Sequence, residues 1–221
     1  MGMNVAIDGP AGAGKSTIAK QVASKLQFIY VDTGAMYRTI ALSLLRRGTD
    51  CENDSALKQA LEEMDIRIGY EDGVQQMLLN GENVTGLIRT EEVSKMASIS
   101  SAKPIVREKL MDLQRTLARE NDVLMDGRDI GTRILPDAQV KIFLTASVEA
   151  RAARRFKEMQ EKGVPCTLEE IRADSEERDY RDMHRDTAPL IQAEDAVLVD
   201  TSDMTIDEVT DTIVRLVNEK R

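Results

Sequence analysis

The sequence predicts an α/β fold with a central parallel sheet, and three observations predict it. A short apolar run ends in a glycine-rich turn that opens an amphipathic helix. Strand-like and helix-like segments then alternate to the C-terminus. The 221 residues suffice for one sizeable core plus an insertion, and are short for two independent domains.

Residues 3–7 are apolar and β-branched and stop at Asp8-Gly9-Pro10, the pattern of a buried strand entering a turn. Ile18, Ala19, Val22, Ala23 and Leu26 then recur at helical spacing, so residues 15–26 form an amphipathic helix. Residues 28–31 are a second strand, and 35–47 a second helix that Gly48 ends. Strand, turn, helix, strand, helix implies a parallel sheet with right-handed crossovers. Residues 50–90 change character. Residues 56–64 suggest a short helix, 66–68 alternate, and Met77-Leu78-Leu79 runs into Asn80-Gly81, a strong hairpin signal. An antiparallel hairpin within such a chain points to an inserted lobe. Pro104 starts a helix to about 119, and residues 123–125 and 140–144 are further buried strands. Residues 147–162 are a charged helix, and Thr167 with Glu170 has capping-box spacing for another. A last strand falls at 197–199, before a helix that Thr205 and Glu208 cap.

Composition excludes several functions. Thirty Lys+Arg against 39 Asp+Glu leave a net charge of −9, which disfavours a duplex nucleic-acid binder or a polybasic membrane-surface protein. Aromatics are 3% with no Trp, too few for platforms on which single-stranded bases stack. No apolar stretch is long enough to span a bilayer, and the N-terminal residues lack the features of a secretory leader. Cys51 and Cys166 have neither metal-like spacing nor the numbers for a disulfide scaffold, as befits thiols in a reducing cytoplasm.

Gly9-Pro10-Ala11-Gly12-Ala13-Gly14-Lys15-Ser16, followed by Thr17, matches G-x-x-x-x-G-K-[ST] in full. Its glycines let backbone N–H groups approach phosphates, and the helix behind it aims its positive dipole end at the same oxygens. Lys15 supplies a point charge for the β- and γ-phosphates, and the Ser16 hydroxyl is placed to ligate Mg²⁺. A glycine-rich turn with a chance lysine would not combine a preceding strand with a following helix. A dinucleotide fingerprint fits less well, because Thr17 stands where it needs Gly or Ala. The motif therefore predicts nucleoside triphosphate binding in a three-layer P-loop NTPase fold.

No Asn/Thr-Lys-x-Asp guanine reader occurs, which speaks against a regulatory GTPase. A small-molecule kinase needs a second anion site facing the loop. Asp32-Thr33-Gly34-Ala35-Met36-Tyr37-Arg38 and Asp126-Gly127-Arg128-Asp129 each follow a predicted strand, at the carboxyl edge where doubly wound sheets bind ligands. Arg178, Asp182 and Arg185 stand at i, i+4 and i+7, on one helix face. Each cluster could instead be solvated surface charge, and so could Arg151, Arg154 and Arg155. His184, the sole histidine, has no nucleophile partner motif and is expected on the surface.

Taken in order, residues 9–17, 32–38, 127–131, 136–144, Arg178-Asp179-Tyr180-Arg181-Asp182-Met183-His184-Arg185 and Ala188-Pro189-Leu190 resemble the bacterial cytidylate (CMP) kinases. The resemblance covers essentially the whole chain. It implies a core of about 1–48, 104–146 and 188–221, an NMP-binding lobe at 49–103, and a helical lid and acceptor-binding arm at 147–187. It further implies phosphoryl transfer from ATP to CMP or dCMP with Mg²⁺, in a cytoplasmic monomer without nucleic-acid or membrane partners. Ser98, Arg107 and Asp129 take the positions that read cytosine, and Arg38, Arg128 and Arg185 those that hold the CMP phosphate. Arg178 and Asp182 address the sugar, Thr33 and Tyr37 line the acceptor pocket, and Arg151, Arg154 and Arg155 fall in the lid over ATP. Lys15, Arg128, Asp129 and Arg185 are the candidate catalytic residues. Thr33 departs from a serine that is also common there but keeps the hydroxyl. Rival readings are a P-loop kinase of UMP, shikimate or gluconate, and a nucleotide-binding regulator without turnover.

Overall fold

The computed structural model describes residues 2–161 and 163–221. Lys162, the expected end of one helix, lies outside them. The first half runs β1 (Asn4–Asp8), α1 (Lys15–Leu26), β2 (Ile29–Asp32), α2 (Thr33–Arg47), α3 (Asp54–Glu62), β3 (Ile66–Glu71), β4 (Val74–Leu79), β5 (Glu82–Asn83) and α4 (Glu91–Ser100). It continues with α5 (Pro104–Glu120), β6 (Val123–Gly127), a wide turn at Ile130–Ile134, β7 (Val140–Thr145), α6 (Val148–Glu161), α7 (Leu168–His184), β8 (Val197–Asp200) and α8 (Ile206–Asn218).

The main sheet is parallel, in the order β2-β6-β1-β7-β8. Val5, Ala6 and Ile7 of the central strand are wholly buried because both faces are covered. The pleat divides them between two cores. Val5 and Ile7 pack with Ile18, Val22, Ile213 and Val217 of α1 and α8, while Ala6 lies in the cluster of Met36, Ile40, Val106 and Leu110 from α2 and α5. That second cluster also takes in Leu57, Leu61, Met77, Leu79, Ile88 and Val93, so the segment between α2 and α5 shares its packing. No helix among the described residues is long and apolar enough to cross a membrane.

Gly48 ends α2 in the left-handed conformation (φ 63°), and capping boxes start α7 at Thr167 and α8 at Thr205, as the sequence predicts. The expected hairpin at Asn80-Gly81 is present, joining β4 to β5, and four features were outside the sequence expectation. Helix α2 begins at Thr33 rather than Ala35, because the Asp32 side chain accepts from the Ala35 N–H at 2.8 Å and caps it. The strand after Asn80-Gly81 is only the two-residue β5, and a second hairpin joins β3 and β4 through Asp72-Gly73. Both pairs have positive φ throughout, the geometry of a primed two-residue turn. Helix α4, capped by Thr90, was not anticipated. Nor was the wide turn after β6, where the Leu135 N–H reaches the Ile130 carbonyl at 2.7 Å.

Candidate active site

Strands β1 and β2 end in aspartate (Asp8, Asp32) and β6 carries one just before its last residue (Asp126), and their register brings these ends together: Asp8 beside Gly127, Asp32 beside Asp126. A cavity of about 670 Å³ opens there, within the usual range for a small-molecule site. Nine Lys and Arg side chains line it against five Asp and Glu, the reverse of the chain's overall balance.

The phosphate loop forms one wall. Gly14 caps α1 at φ 84° with no side chain to satisfy the first-turn N–H groups, which leaves them free for an anion. Ala11, Gly12, Gly14, Lys15, Ser16 and Thr17 line the cavity. Gly9, Pro10 and Ala13, expected with them, do not. Ala13 is wholly buried among the residues of α1 and the sheet, and Gly9 lies against β7 so closely that a Cβ would stand 1.9 Å from the Leu144 carbonyl oxygen. They shape the loop rather than face a ligand.

Lys15 is buried and its Nζ donates to the Pro10 carbonyl at 2.7 Å. Burial, then the Arg128 charge, pulls its ammonium well below the usual lysine range. The Ser16 hydroxyl donates to Asp126 Oδ2 at 2.8 Å, and Tyr30 donates to Oδ1 at 3.0 Å. Burial, then the neighbouring Asp32, pushes the Asp126 carboxyl up to about 6.

The opposite wall carries the arginines. Thr33, Tyr37, Arg38, Ser98, Arg107, Arg128, Asp129, Arg178, Asp182 and Arg185 all line the same cavity, so the fold unites every predicted acceptor residue. Arg107 and Asp129 form an ion pair whose side chains are 2% and 4% exposed. The Arg107 guanidinium also lies 5.3 Å from the centre of the Tyr37 ring. Burial alone would lower the pKa of Arg107, but Tyr37 and Asp129 outweigh it and raise it. Arg128 Nε binds Asp182 Oδ2 at 2.8 Å. Burial raises Asp182, yet Arg128, Arg185 and Arg178 together hold it below the ordinary carboxylate value.

Arg185 does not continue the α7 face. It is the residue after the last turn, with extended backbone (ψ 141°), and its Nε donates to the Ala188 carbonyl at 2.7 Å. This turn away from the helix brings Nη2 to 3.8 Å from Asp129. Six buried polar atoms in this wall have no hydrogen-bond partner within the protein: Ser98 Oγ, Tyr37 Oη, Arg38 Nε, Arg107 Nε, Arg178 Nε and Arg185 Nη2. Such atoms are costly unless a ligand supplies the partner. The Thr33 hydroxyl, in contrast, already donates to the Asp126 carbonyl at 2.6 Å.

Arg151, Arg154 and Arg155 reach the cavity from α6. Arg151 is pinned between the Ala11 carbonyl (2.9 Å) and Asp179 (2.6 Å), and Arg154 binds Thr201. His184 is exposed and stacks on Tyr180 with ring centres 4.1 Å apart. Sequence reasoning assigned no role to Asp8, Asp32, Asp126 or Arg89. The three aspartates carried a signal, being the last residues of apolar runs. Arg89 carried none, since its contact with Asp32 spans 57 residues and lies in a loop.

A parallel sheet, a phosphate loop at the start of α1 and an arginine-lined wall facing it define a P-loop kinase. The family model described as "Cytidylate kinase" matches residues 5–219. The cytidylate kinase of Ligilactobacillus salivarius (strain UCC118) is 48% identical over 218 residues, spanning 99% of this chain and 97% of that one. That of Shouchella clausii (strain KSM-K16) is 50% identical over 218 residues, with the same coverage. A crystal structure of an uncharacterized protein from Eubacterium ventriosum ATCC 27560 shares the fold, with a TM-score of 0.53 and 14% identity over 99% of both chains. The chain belongs to the cytidylate kinase family and is an ATP-dependent phosphotransferase.

Proposed function

We propose that the protein transfers the γ-phosphoryl group of ATP to CMP or dCMP, giving ADP and CDP or dCDP. The observation that carries this reading is the buried Arg107–Asp129 pair beside the unpartnered Ser98 hydroxyl. A carboxylate accepts from an exocyclic amine, while a guanidinium and a hydroxyl donate to ring acceptors, which is the complement of cytosine. Uracil has a carbonyl where cytosine has that amine, and would face the Asp129 carboxylate with a second acceptor.

In this reading Arg38, Arg128 and Arg185 hold the acceptor phosphate, Arg178 and Asp182 address the sugar, and Ala11, Gly12, Gly14, Lys15, Ser16 and Thr17 with Arg154 hold ATP, in a loop that Gly9, Pro10 and Ala13 shape. The acceptor is a phosphate monoester with a second pKa near 6, so it reaches the site at neutral pH mostly as a dianion. It needs no general base. Lys15, Arg128 and Arg185 then serve as positioning charges that align the two phosphates and stabilise the oxygens in flight. Guanidinium forks suit this work because they stay charged and bind phosphate through two bonds.

The donor set at Ser16 fits Mg²⁺. A hydroxyl and a carboxylate 2.8 Å apart are hard oxygen groups, and a bound cation would relieve the carboxylate pair of Asp126 and Asp32. Ser16 would hold the ion with Asp126 behind it. When bound, it would neutralise β- and γ-phosphate charge. We further read residues 49–103 as the acceptor lobe and 147–187 as a lid that excludes water, in a monomer working in the cytoplasm.

A panel of acceptors in a coupled ADP-release assay tests the proposal. CMP and dCMP should be the fast acceptors, ahead of UMP, shikimate and gluconate. Rapid turnover of one of the others would replace the substrate assignment, and ATP binding without acceptor-dependent turnover would point to a regulator.

A further inference from the structure

Strand β2 is an edge of the main sheet, and its outer side is closed by side chains rather than by another strand. Gln75 of β4 is buried there. Its Oε1 accepts from the Asp32 N–H at 2.8 Å and its Nε2 donates to the Asp32 carbonyl at 3.3 Å, so one side-chain amide holds both backbone groups of one residue. Nearby, the Tyr70 hydroxyl donates to the Tyr30 carbonyl at 3.2 Å. The Asp32 carboxylate, besides capping α2, is shared by two arginines. Arg38 Nη2 lies 3.2 Å from Oδ2 and Arg89 Nη2 lies 3.0 Å from the same oxygen. Gln75 and Arg89 belong to the segment between α2 and α5, whereas Arg38 lines the cavity and its buried Nε has no partner within the protein.

We propose that Gln75 and Arg89 are positioning residues for the acceptor phosphate, acting through Asp32 on Arg38. The inference rests on the CMP kinase reading above. Arg38 is a long, flexible side chain, and holding it in one place costs rotamer entropy unless its counter-charge is itself fixed. Gln75 fixes the backbone of that counter-charge. Arg89 sets the local charge, because one carboxylate between two guanidiniums leaves a net positive cluster. With Arg89 gone, Asp32 would cancel the charge of Arg38, and an incoming phosphate dianion would meet a neutral pair. The segment between α2 and α5, through a strand residue and a loop residue, thus tunes how strongly the site grips the acceptor phosphate without touching the acceptor.

The test uses Gln75→Leu and Arg89→Gln in the full-length enzyme, with steady-state kinetics for CMP and ATP and competitive inhibition by cytidine, which lacks the phosphate. Each variant should raise KM for CMP about 3- to 10-fold, the worth of one or two hydrogen bonds, with kcat and the KM for ATP within about 2-fold. Cytidine inhibition should stay unchanged, whereas a merely loosened pocket would weaken cytidine as well. In an Arg38→Lys background, neither substitution should add more than about 2-fold. An unchanged KM for CMP, an equal loss of cytidine affinity, or full additivity with Arg38→Lys would overturn the proposal. Should Gln75→Leu fail to fold, Arg89→Gln carries the test, since that side chain is 58% exposed. A wild-type enzyme idle toward CMP would overturn the substrate reading instead, and the variants would then be run with the monophosphate it does accept.

Discussion

Lys15, Arg185 and Asp129 show how differently three charged side chains can be used in one cavity. Lys15 sits in the phosphate loop, donating to a loop carbonyl rather than to a carboxylate. Its removal should therefore spare the fold: Lys15→Ala is expected to lower kcat about 100-fold or more with a melting temperature near that of the wild type. Unchanged turnover would remove Lys15 from the phosphoryl-transfer machinery. Arg185 holds a bent position through its Nε bond to Ala188, leaving its other nitrogens toward Asp129 and the cavity. Lysine has no such fork, so Arg185→Lys should cut kcat/KM for CMP by at least about 10-fold. A near-normal value would make Arg185 structural. Asp129 has a double burden. Asp129→Ala should weaken CMP far more than ATP in titration calorimetry. It should also cost about 3–5 kcal/mol of stability, because Arg107 would be left charged and buried. Intact CMP affinity would refute the base-reading role.

At the scale of elements, the end of β1 ties the sheet to the wide turn after β6. Both oxygens of Asp8 accept backbone N–H groups of that turn, from Ile130 at 2.8 Å and Gly131 at 2.7 Å. Burial nevertheless pushes the Asp8 carboxyl from 3.8 up to about 6, since the two N–H groups only partly offset it. The folded protein therefore binds a proton that the unfolded chain has already released between about pH 4 and pH 6. The contribution of Asp8 to stability is complete below about pH 4 and is lost as pH rises through 6. Asp8→Asn removes this dependence, so the melting temperature of the variant relative to the wild type should rise across that window. A difference that stays constant with pH would refute it. Most elements could be read from the sequence because period and punctuation agreed: Gly48, Thr167 and Thr205 each mark a boundary that the fold respects. The wide turn could not, since two N–H bonds to an aspartate 122 and 123 residues away stabilise it. Helix α4 had its cap in Thr90 and its acidic first turn, but its core-facing apolar residues are Val93, Met96 and Ala97, with Ser100 at the next position of that face, too short a stripe to establish a period.

For the whole molecule, charge is arranged against its own total. The chain carries −9, with 3 basic and 9 acidic residues after position 185, while the cavity wall is arginine-rich. Local potential governs the approach of small anions, so kcat/KM for CMP should fall as salt rises from about 0.05 to 0.5 M. A rise with salt would mean that the net charge repels the substrates and that the arginines do not steer them. The sequence by itself determined the alternation of strands and helices and the phosphate loop, because each depends on local periodicity or on a motif contiguous in the chain, while the acceptor residues are expected from the family resemblance. Only the tertiary structure decided how charges are shared: Arg107 with Asp129, Arg128 with Asp182, and Asp32 between Arg38 and Arg89. Those partners lie far apart in the chain or on different elements. Burial sets the strength of their interaction and the sheet register sets their distance, and neither is encoded in any local stretch of residues.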